Sequence, residues 1–267
     1  MKPIRLIAVD MDGTLLDSQG RLPAGLYSLV RELTGRGIRF VIASGRQYYN
    51  LESLFHPLAD CLTFVAENGA AVFEKGRLLS YDEMRREDVR DLLAEAAVLP
   101  GIVPGLCGVQ ATYIDRIDPE LEKKIRLYYD RLERVDNLAE ALERDRICKV
   151  TYYVPEAAES VAYPALCKRY PALKVTLSGE HWVDVTNSSA HKGSAIAFLQ
   201  RRDGLVPDEC MAFGDYLNDV EMMRVCGQSY GMKNGHPDLL ACCRFVTAKT
   251  NDEDGVCDTL RTVFGLA

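Results

Sequence analysis

The sequence predicts an α/β protein with a Rossmann-like parallel-sheet core and an inserted α+β cap domain. Three observations lead there. Short apolar, β-branched runs alternate with helical stretches near both ends of the chain, the pattern of strands covered by helices on both faces. The middle of the chain changes to longer, more polar helices around alternating strands. Acidic or hydroxyl-bearing residues end several apolar runs, where open α/β sheets place their chemistry.

The first run, Ile4 to Val9, reads as a buried strand ending in Asp10-Met11-Asp12-Gly13-Thr14. Leu26, Leu29, Val30 and Leu33 then recur at helical spacing, with Pro23 before them and Gly35 and Gly37 after. A strand from Arg39 to Ala43 precedes Ser44-Gly45-Arg46, a short helix near Gln47 to Phe55 follows, and Leu62 to Ala66 forms the next strand. Ala70 to Leu79 reads as a hairpin around Glu74-Lys75-Gly76.

Next come a charged amphipathic helix (Arg85 to Leu99) stopped by Pro100-Gly101, a strand near Val109 to Ile114, and a helix from Pro119 to Leu132. A strand from Ile147 to Val154, a helix from Glu156 to Tyr170 and a strand from Leu173 to Leu177 follow. This middle suits an antiparallel sheet covered by helices on one face. The first alternation resumes with a helix (His191 to Arg202), a strand (Glu209 to Phe213), a helix (Asn218 to Val225), a strand (Arg244 to Thr247) and a helix (Gly255 to Phe264). The expected domains are therefore a core of residues 1–81 and 180–267 and a cap of residues 82–179.

A chain of 267 residues can bury a substantial core. Its net charge of −7 argues against nucleic-acid or anionic-membrane partners, which need clustered Lys and Arg. It leaves room for a small anionic substrate in a locally positive site. No run reaches the ~18–20 apolar residues of a membrane span. The early apolar run is interrupted by Asp10 and Asp12, unlike a signal peptide. Nine cysteines, an odd number with no Cys-x-x-Cys pair, read as reduced thiols in a cytoplasmic protein. Four histidines show no metal-ligand spacing.

Two carboxylates one residue apart, Asp10 and Asp12, disfavour each other's ionisation, so a cation or a proton-transfer role can make them tolerable. On an extended chain they point to the same side. Lys192 opens a helix, where the dipole disfavours a cation. Asp215 and Asp219 stand four apart across a strand-to-helix turn, a spacing that shares one face. All-oxygen ligation of this kind favours Mg2+.

Four ordered clusters, Asp10-Met11-Asp12-Gly13-Thr14, Ser44-Gly45-Arg46, His191-Lys192-Gly193 and Gly214-Asp215-Tyr216-Leu217-Asn218-Asp219, resemble the motifs of the haloacid dehalogenase-like superfamily. About a hundred residues between the second and third clusters resemble the large cap of its Cof-type phosphatases.

The resemblance implies the roles. Asp10 would attack phosphate and form an aspartyl-phosphate, Asp12 would act as general acid then base, and Lys192 would neutralise charge. Met11, Thr14, Ser44, Gly45, Arg46 and Asn218 would bind substrate or fix its loops. Mg2+ would be held by Asp10, the carbonyl of Asp12, and Asp215, with Asp219 supporting. Glu67-Asn68-Gly69 lies at the same sheet edge, and the Gly231-Met232-Lys233-Asn234 loop would bring Asn234 near the lysine. Cap residues Tyr113, Tyr152 and Arg116 are candidates to approach the core site.

The expected activity is hydrolysis of small phosphorylated metabolites, sugar phosphates or related monoesters. A phosphomutase using the same Asp pair and a non-catalytic phosphometabolite-binding regulator are the alternatives. Oligomeric state stays open, a monomer being compatible.

Overall fold

The computed structural model describes residues 2–266 apart from 99–100, 116, 127 and 156–157. It divides into two compact units, residues 1–80 with 191–267, and residues 81–190.

In unit 1 the chain begins β1 (Leu6–Asp10), α1 (Leu26–Gly35), β2 (Arg39–Ala43), α2 (Tyr48–Leu54), β3 (Leu62–Ala66), β4 (Ala71–Glu74) and β5 (Arg77–Tyr81). Lys75 and Gly76 both take positive φ between β4 and β5, as a two-residue hairpin turn requires. Unit 2 follows with α3 (Arg86–Val98), β6 (Val103–Gly108), β7 (Thr112–Ile114), α4 (Pro119–Arg126), β8 (Leu132–Arg134), α5 (Leu138–Arg144), β9 (Ile147–Tyr153), α6 (Tyr163–Arg169), β10 (Leu173–Gly179) and β11 (Trp182–Asn187). Unit 1 is completed by α7 (Lys192–Asp203), β12 (Cys210–Gly214), α8 (Val220–Val225), β13 (Gln228–Gly231), α9 (Pro237–Leu240), β14 (Phe245–Val246) and α10 (Gly255–Phe264).

The sheet of unit 1 has the order β14-β13-β12-β1-β2-β3-β4-β5. It is parallel from β14 to β3, and β4 runs antiparallel to β3. β1 lies between β2 and β12, with Ala8 beside Val41 on one side and Ala212 on the other. All five of its residues are buried, which explains the continuous apolar run. Leu6, Ala8, Val41, Val65 and Ala212 pack with Ile196 and Leu199 of α7 and Met222 and Met223 of α8. Each Leu, Ile, Val or Met among these contributes about 1.5–3 kcal/mol by leaving water. β13 was absent from the sequence expectation, because Gln228-Ser229-Tyr230-Gly231 has too few apolar residues to read as a strand.

The sheet of unit 2 has the order β10-β11-β9-β6-β7-β8, antiparallel except where β7 runs parallel to β8. Residues 180–187 were expected in the core. β11 instead pairs with β9 and β10, so the second boundary falls after Ala190. The expected helix over 119–132 ends at Arg126, and β8 follows it. The expected strand over 109–114 is the end of a hairpin whose first strand is β6. The helix expected over 156–170 begins outside the described residues and continues as a π-helical turn over Ala158–Ala162 before α6. Pro100 and Arg116 also lie outside the described residues.

Helices cover both faces of this sheet, not one. Leu106, Tyr152 and Val183 pack with Val89 and Leu92 of α3, Leu142 of α5 and Leu166 of α6. The alternating positions Cys107, Tyr153 and Trp182 pack instead with Ile125 of α4 and Tyr129. Tyr113 and Tyr152 belong to the first cluster, and their hydroxyls donate to Asp145 (3.1 Å) and to the Leu92 carbonyl (2.9 Å). Both are committed within their own unit.

Candidate active site

The residues of the four sequence clusters all lie in unit 1, near the C-terminal ends of its parallel strands or at the start of α7. Asp10 is the last residue of β1 and is buried. Lys192 is the first residue of α7 and is fully buried. Its Nζ donates to Asp10 Oδ1 and, at 2.7 Å, to Asp219 Oδ1. His191 caps that helix, its Nδ1 accepting the Ser194 N–H at 3.0 Å.

Asp219 is fully buried and heavily engaged. Besides Lys192, its Oδ2 accepts the backbone N–H groups of Asp215 (3.1 Å) and Tyr216 (3.3 Å). Asp215 accepts the Thr14 hydroxyl at 2.8 Å, which ties the loop after β12 to the loop after β1. Gly13 takes φ +83°, and a Cβ there would meet Asp215 Oδ2 at 2.3 Å, so the two loops approach this closely only over a glycine.

One oxygen from each of Asp10, Asp215 and Asp219 lies within 4.8 Å of the others. Burial first, then Asp219, pushes the Asp10 carboxyl well above the usual carboxylate range, and Lys192 only partly offsets this. Burial also raises Asp215, with the Thr14 hydrogen bond opposing and Asp219 adding to the rise. Burial disfavours the Lys192 ammonium, yet Asp10 and Asp219 outweigh it and hold its pKa above the ordinary lysine value. One ammonium thus faces three carboxylates. An oxygen-seeking cation fits that imbalance, with Asp10 and Asp215 as its natural holders, because Asp219 is already occupied by Lys192 and two amides.

Asp12 departs from expectation. β1 ends at Asp10, and the chain then turns, with the N–H groups of Leu15 and Leu16 both donating to the Met11 carbonyl (2.9 Å each). Asp12 itself forms an isolated bridge with Leu16 within that turn. The Asp12 carboxylate is outside the three-carboxylate group and its side chain is 59% exposed. It is gripped by Arg46, whose NH2 and Nε donate at 2.6 and 3.0 Å. Arg46 also reaches Asn50 at 3.2 Å.

Ser44 is buried, and its Oγ accepts the Arg46 N–H at 3.2 Å, beside half-buried Gly45. The Met11 side chain is fully buried, so only its backbone is placed to serve the site. Asn218 donates to Asn68 at 3.2 Å, a partnership that sequence reasoning missed. Asn234, expected near the lysine, donates to the Gly13 carbonyl at 2.8 Å and accepts the Asn251 N–H at 3.1 Å, bracing the loop after β1.

This geometry agrees with known proteins. Residues 7–260 match the family described as haloacid dehalogenase-like hydrolase. The chain belongs to the haloacid dehalogenase-like hydrolases. Among these it is a phosphatase of the Cof type. It is 32% identical over 263 residues to the 5-amino-6-(5-phospho-D-ribitylamino)uracil phosphatase YbjI of Escherichia coli K12, covering 97% of this chain and 96% of that protein. It is 25% identical to the phosphatase YwpJ of Bacillus subtilis 168, over 97% of this chain and 99% of the relative. Among solved structures, SMU.1108c from Streptococcus mutans UA159 superposes with a TM-score of 0.85 at 31% identity, covering 98% of this chain and 99% of the other. As a haloacid dehalogenase-like hydrolase the chain has its family's motif residues gathered at one edge of one sheet. Among the described residues no helix is long and apolar enough to cross a membrane.

Proposed function

We propose that the protein is a Mg2+-dependent phosphatase of small phosphate monoesters, working through an aspartyl-phosphate on Asp10. The observation that carries this reading is Lys192, buried without exposure between Asp10 and Asp219 with Asp215 alongside. Lys192 opposes the burial and the Asp219 charge that disfavour ionised Asp10, and a bound cation would add to that opposition and leave a carboxylate able to act as nucleophile.

Asp10 and Asp215 would hold the cation, with the Asp12 carbonyl as the third protein ligand. Mg2+ bound there would offset the excess negative charge and polarise the phosphoryl oxygens. The Asp10 carboxylate attacks phosphorus, and the bond to the leaving alcohol oxygen breaks. Asp12 gives that oxygen a proton. Asp12, now a carboxylate, takes a proton from water, whose oxygen attacks phosphorus and breaks the bond to Asp10. Phosphate leaves and both aspartates return to their starting states. Ser44, Gly45 and Asn218 orient the phosphoryl group, while Lys192 stabilises its charge. Arg46 must release Asp12 during turnover, and an incoming phosphate dianion is a competing anion for its guanidinium.

The substrate class follows the relative's name: phosphorylated polyols, including a ribitylamino-uracil phosphate, alongside sugar phosphates. Residues 81–190, which hold none of the motif residues, would select among them.

The test is phosphate release from a panel of these esters with and without Mg2+, together with Asp12→Asn. Positioned acid–base groups contribute about 10²–10⁴-fold, so the variant should lose that much on alkyl phosphates. A nitrophenyl phosphate expels a stable anion, and its phosphoenzyme should accumulate and be found by mass spectrometry on the peptide holding Asp10. Mg2+ should also raise the melting temperature of the wild type, an effect independent of turnover. No phosphate release from any ester, or equal slowing of both ester types without phosphoenzyme, would overturn the mechanism. Formation of a bisphosphate in a burst would point to a mutase.

A further inference from the structure

We propose that Asn68 is a positioning residue of the phosphate site, acting through Asn218. The proposal rests on the phosphatase reading above and adds a residue that none of the motif clusters contains. Glu67 and Asn68 are consecutive non-glycine residues with φ of 50° and 54°. That left-handed region is disfavoured for side chains with a Cβ, and asparagine tolerates it better than most. Two in succession directly after β3 mark a loop held against its local preference.

Its hydrogen bonds show what holds it. The Asn68 N–H donates to the Ser44 carbonyl at 2.9 Å, and the Glu67 N–H donates to the Arg46 carbonyl at 3.1 Å. The loop after β3 is thereby fastened to the Ser44-Gly45-Arg46 loop after β2. The Asn68 side chain then reaches across to the loop after β12, its Oδ1 accepting from Asn218 Nδ2 at 3.2 Å. Residues 150 positions apart in sequence meet here. The same carboxamide lies over Gly45, where a Cβ would come within 2.9 Å of Asn68 Nδ2. Asn68 therefore touches the two loops assigned to phosphate binding. It makes no hydrogen bond to Asp10, Lys192, Asp215 or Asp219 among the described residues.

The backbone at this position would be satisfied best by glycine. Its asparagine side chain is what reaches Asn218, and this separates the two roles experimentally. Asn68→Gly keeps the conformation, relieves the strain and removes only the carboxamide. Its melting temperature should equal or exceed that of the wild type. Its kcat/KM for a phosphate monoester should fall about three- to ten-fold, the worth of a neutral hydrogen bond that orients a ligand group. The inhibition constant of inorganic phosphate should rise by a similar factor. Because Asn68 acts through Asn218, the double variant Asn68→Gly/Asn218→Ala should be no worse than Asn218→Ala alone.

Unchanged kcat/KM and phosphate inhibition in Asn68→Gly would overturn the proposal. So would losses that multiply in the double variant, because Asn68 would then act independently of Asn218. A fall in melting temperature that accounts for the lost activity would make the residue merely structural. If the wild type itself released no phosphate, the functional reading would fail first, a result distinct from all of these.

Discussion

Two lysines of this protein are buried beside aspartates, one in each unit, and they do different things. Lys149 sits on β9 in the sheet of unit 2, its Nζ 3.2 Å from Asp184 on the neighbouring β11 and 5.9 Å from the centre of the Tyr129 ring. That bridge ties two neighbouring strands of the sheet together beside an aromatic ring. Lys192 sits at the start of a helix, where the dipole works against it, beside carboxylates that outnumber it. Both lysines are nearly inaccessible to water, so burial alone does not separate them. Position does: Lys149 lies within a strand, Lys192 at a helix start beside the ends of parallel strands. A bridge between neighbouring strands inside a sheet holds a structure together, whereas an excess of carboxylate at the ends of parallel strands creates a demand for a cation and a phosphoryl group.

The largest effect expected from this contrast is on turnover. Asp10→Asn is nearly isosteric and removes both the nucleophile and a cation ligand, so phosphatase activity should fall by at least about 10³-fold. Its circular dichroism and cooperative unfolding should be retained. Retention of more than a few per cent of activity would erase the distinction between the two clusters.

Asp184→Leu should do the reverse. It leaves Lys149 buried without that partner, at a cost of about 3–5 kcal/mol in unfolding free energy. The double variant Lys149→Met/Asp184→Leu should recover part of that loss, since neither end of the bridge is then left buried without the other. Denaturant unfolding measures both, and hydrolysis of a small nitrophenyl ester by the folded fraction should be unaltered. Failure of the double variant to recover would mean that the Lys149 bridge, too, serves more than structure.

A third site bounds the scale from below. Glu74 accepts from Arg39 and Arg202, and Arg39 also donates to Asp203, so two cations meet two carboxylates in a partly exposed place. Burial raises its pKa, but the hydrogen bonds from Arg39 and Arg202 prevail and leave it lowered from 4.5. The folded carboxylate therefore keeps its charge to lower pH than the unfolded one. Its contribution is complete above the unfolded value and is lost as pH falls through the folded value. Glu74→Gln should cost no more than about 1 kcal/mol at neutral pH, with the difference from wild type vanishing in acid. Thermal melts across that range check it. A cost as large as that of Asp184→Leu would show that partial exposure does not weaken this network.

Much of this site was legible in the chain, and the reason is geometric. Apolar runs such as Ile7-Ala8-Val9 and Met211-Ala212-Phe213 read as buried strands, and a residue directly following a parallel strand lands on a shared edge whatever lies between them in sequence. Asp10, Ser44 and Asp215 were placed by that rule. Asp12 was not, because its side-chain direction depends on where β1 stops, and the turn at Met11 rotates it toward Arg46. The Asn68–Asn218 contact left no trace, since a left-handed backbone at an asparagine has no periodic signature. In unit 2, β11 was missed for a physical reason. Alternation marks a strand with two unlike faces, but Trp182-Val183-Asp184-Val185 is buried on both, one face under α3, α5 and α6 and the other toward α4 and the Lys149 bridge.

The central position of β1 has a consequence for the life of the chain before it is finished. Thr14 and Asp215 are 201 residues apart, and Asn234 reaches back 221 residues to Gly13. As the polypeptide leaves the ribosome, β1 emerges early but must wait for β12, its partner on one side, until after the whole of residues 81–190 has been made. The insert is contiguous and can begin to order while the first strand still has one open, apolar edge. A nascent chain of this protein is thus a completed module tethered to an unfinished one, and it needs shelter until its last third arrives.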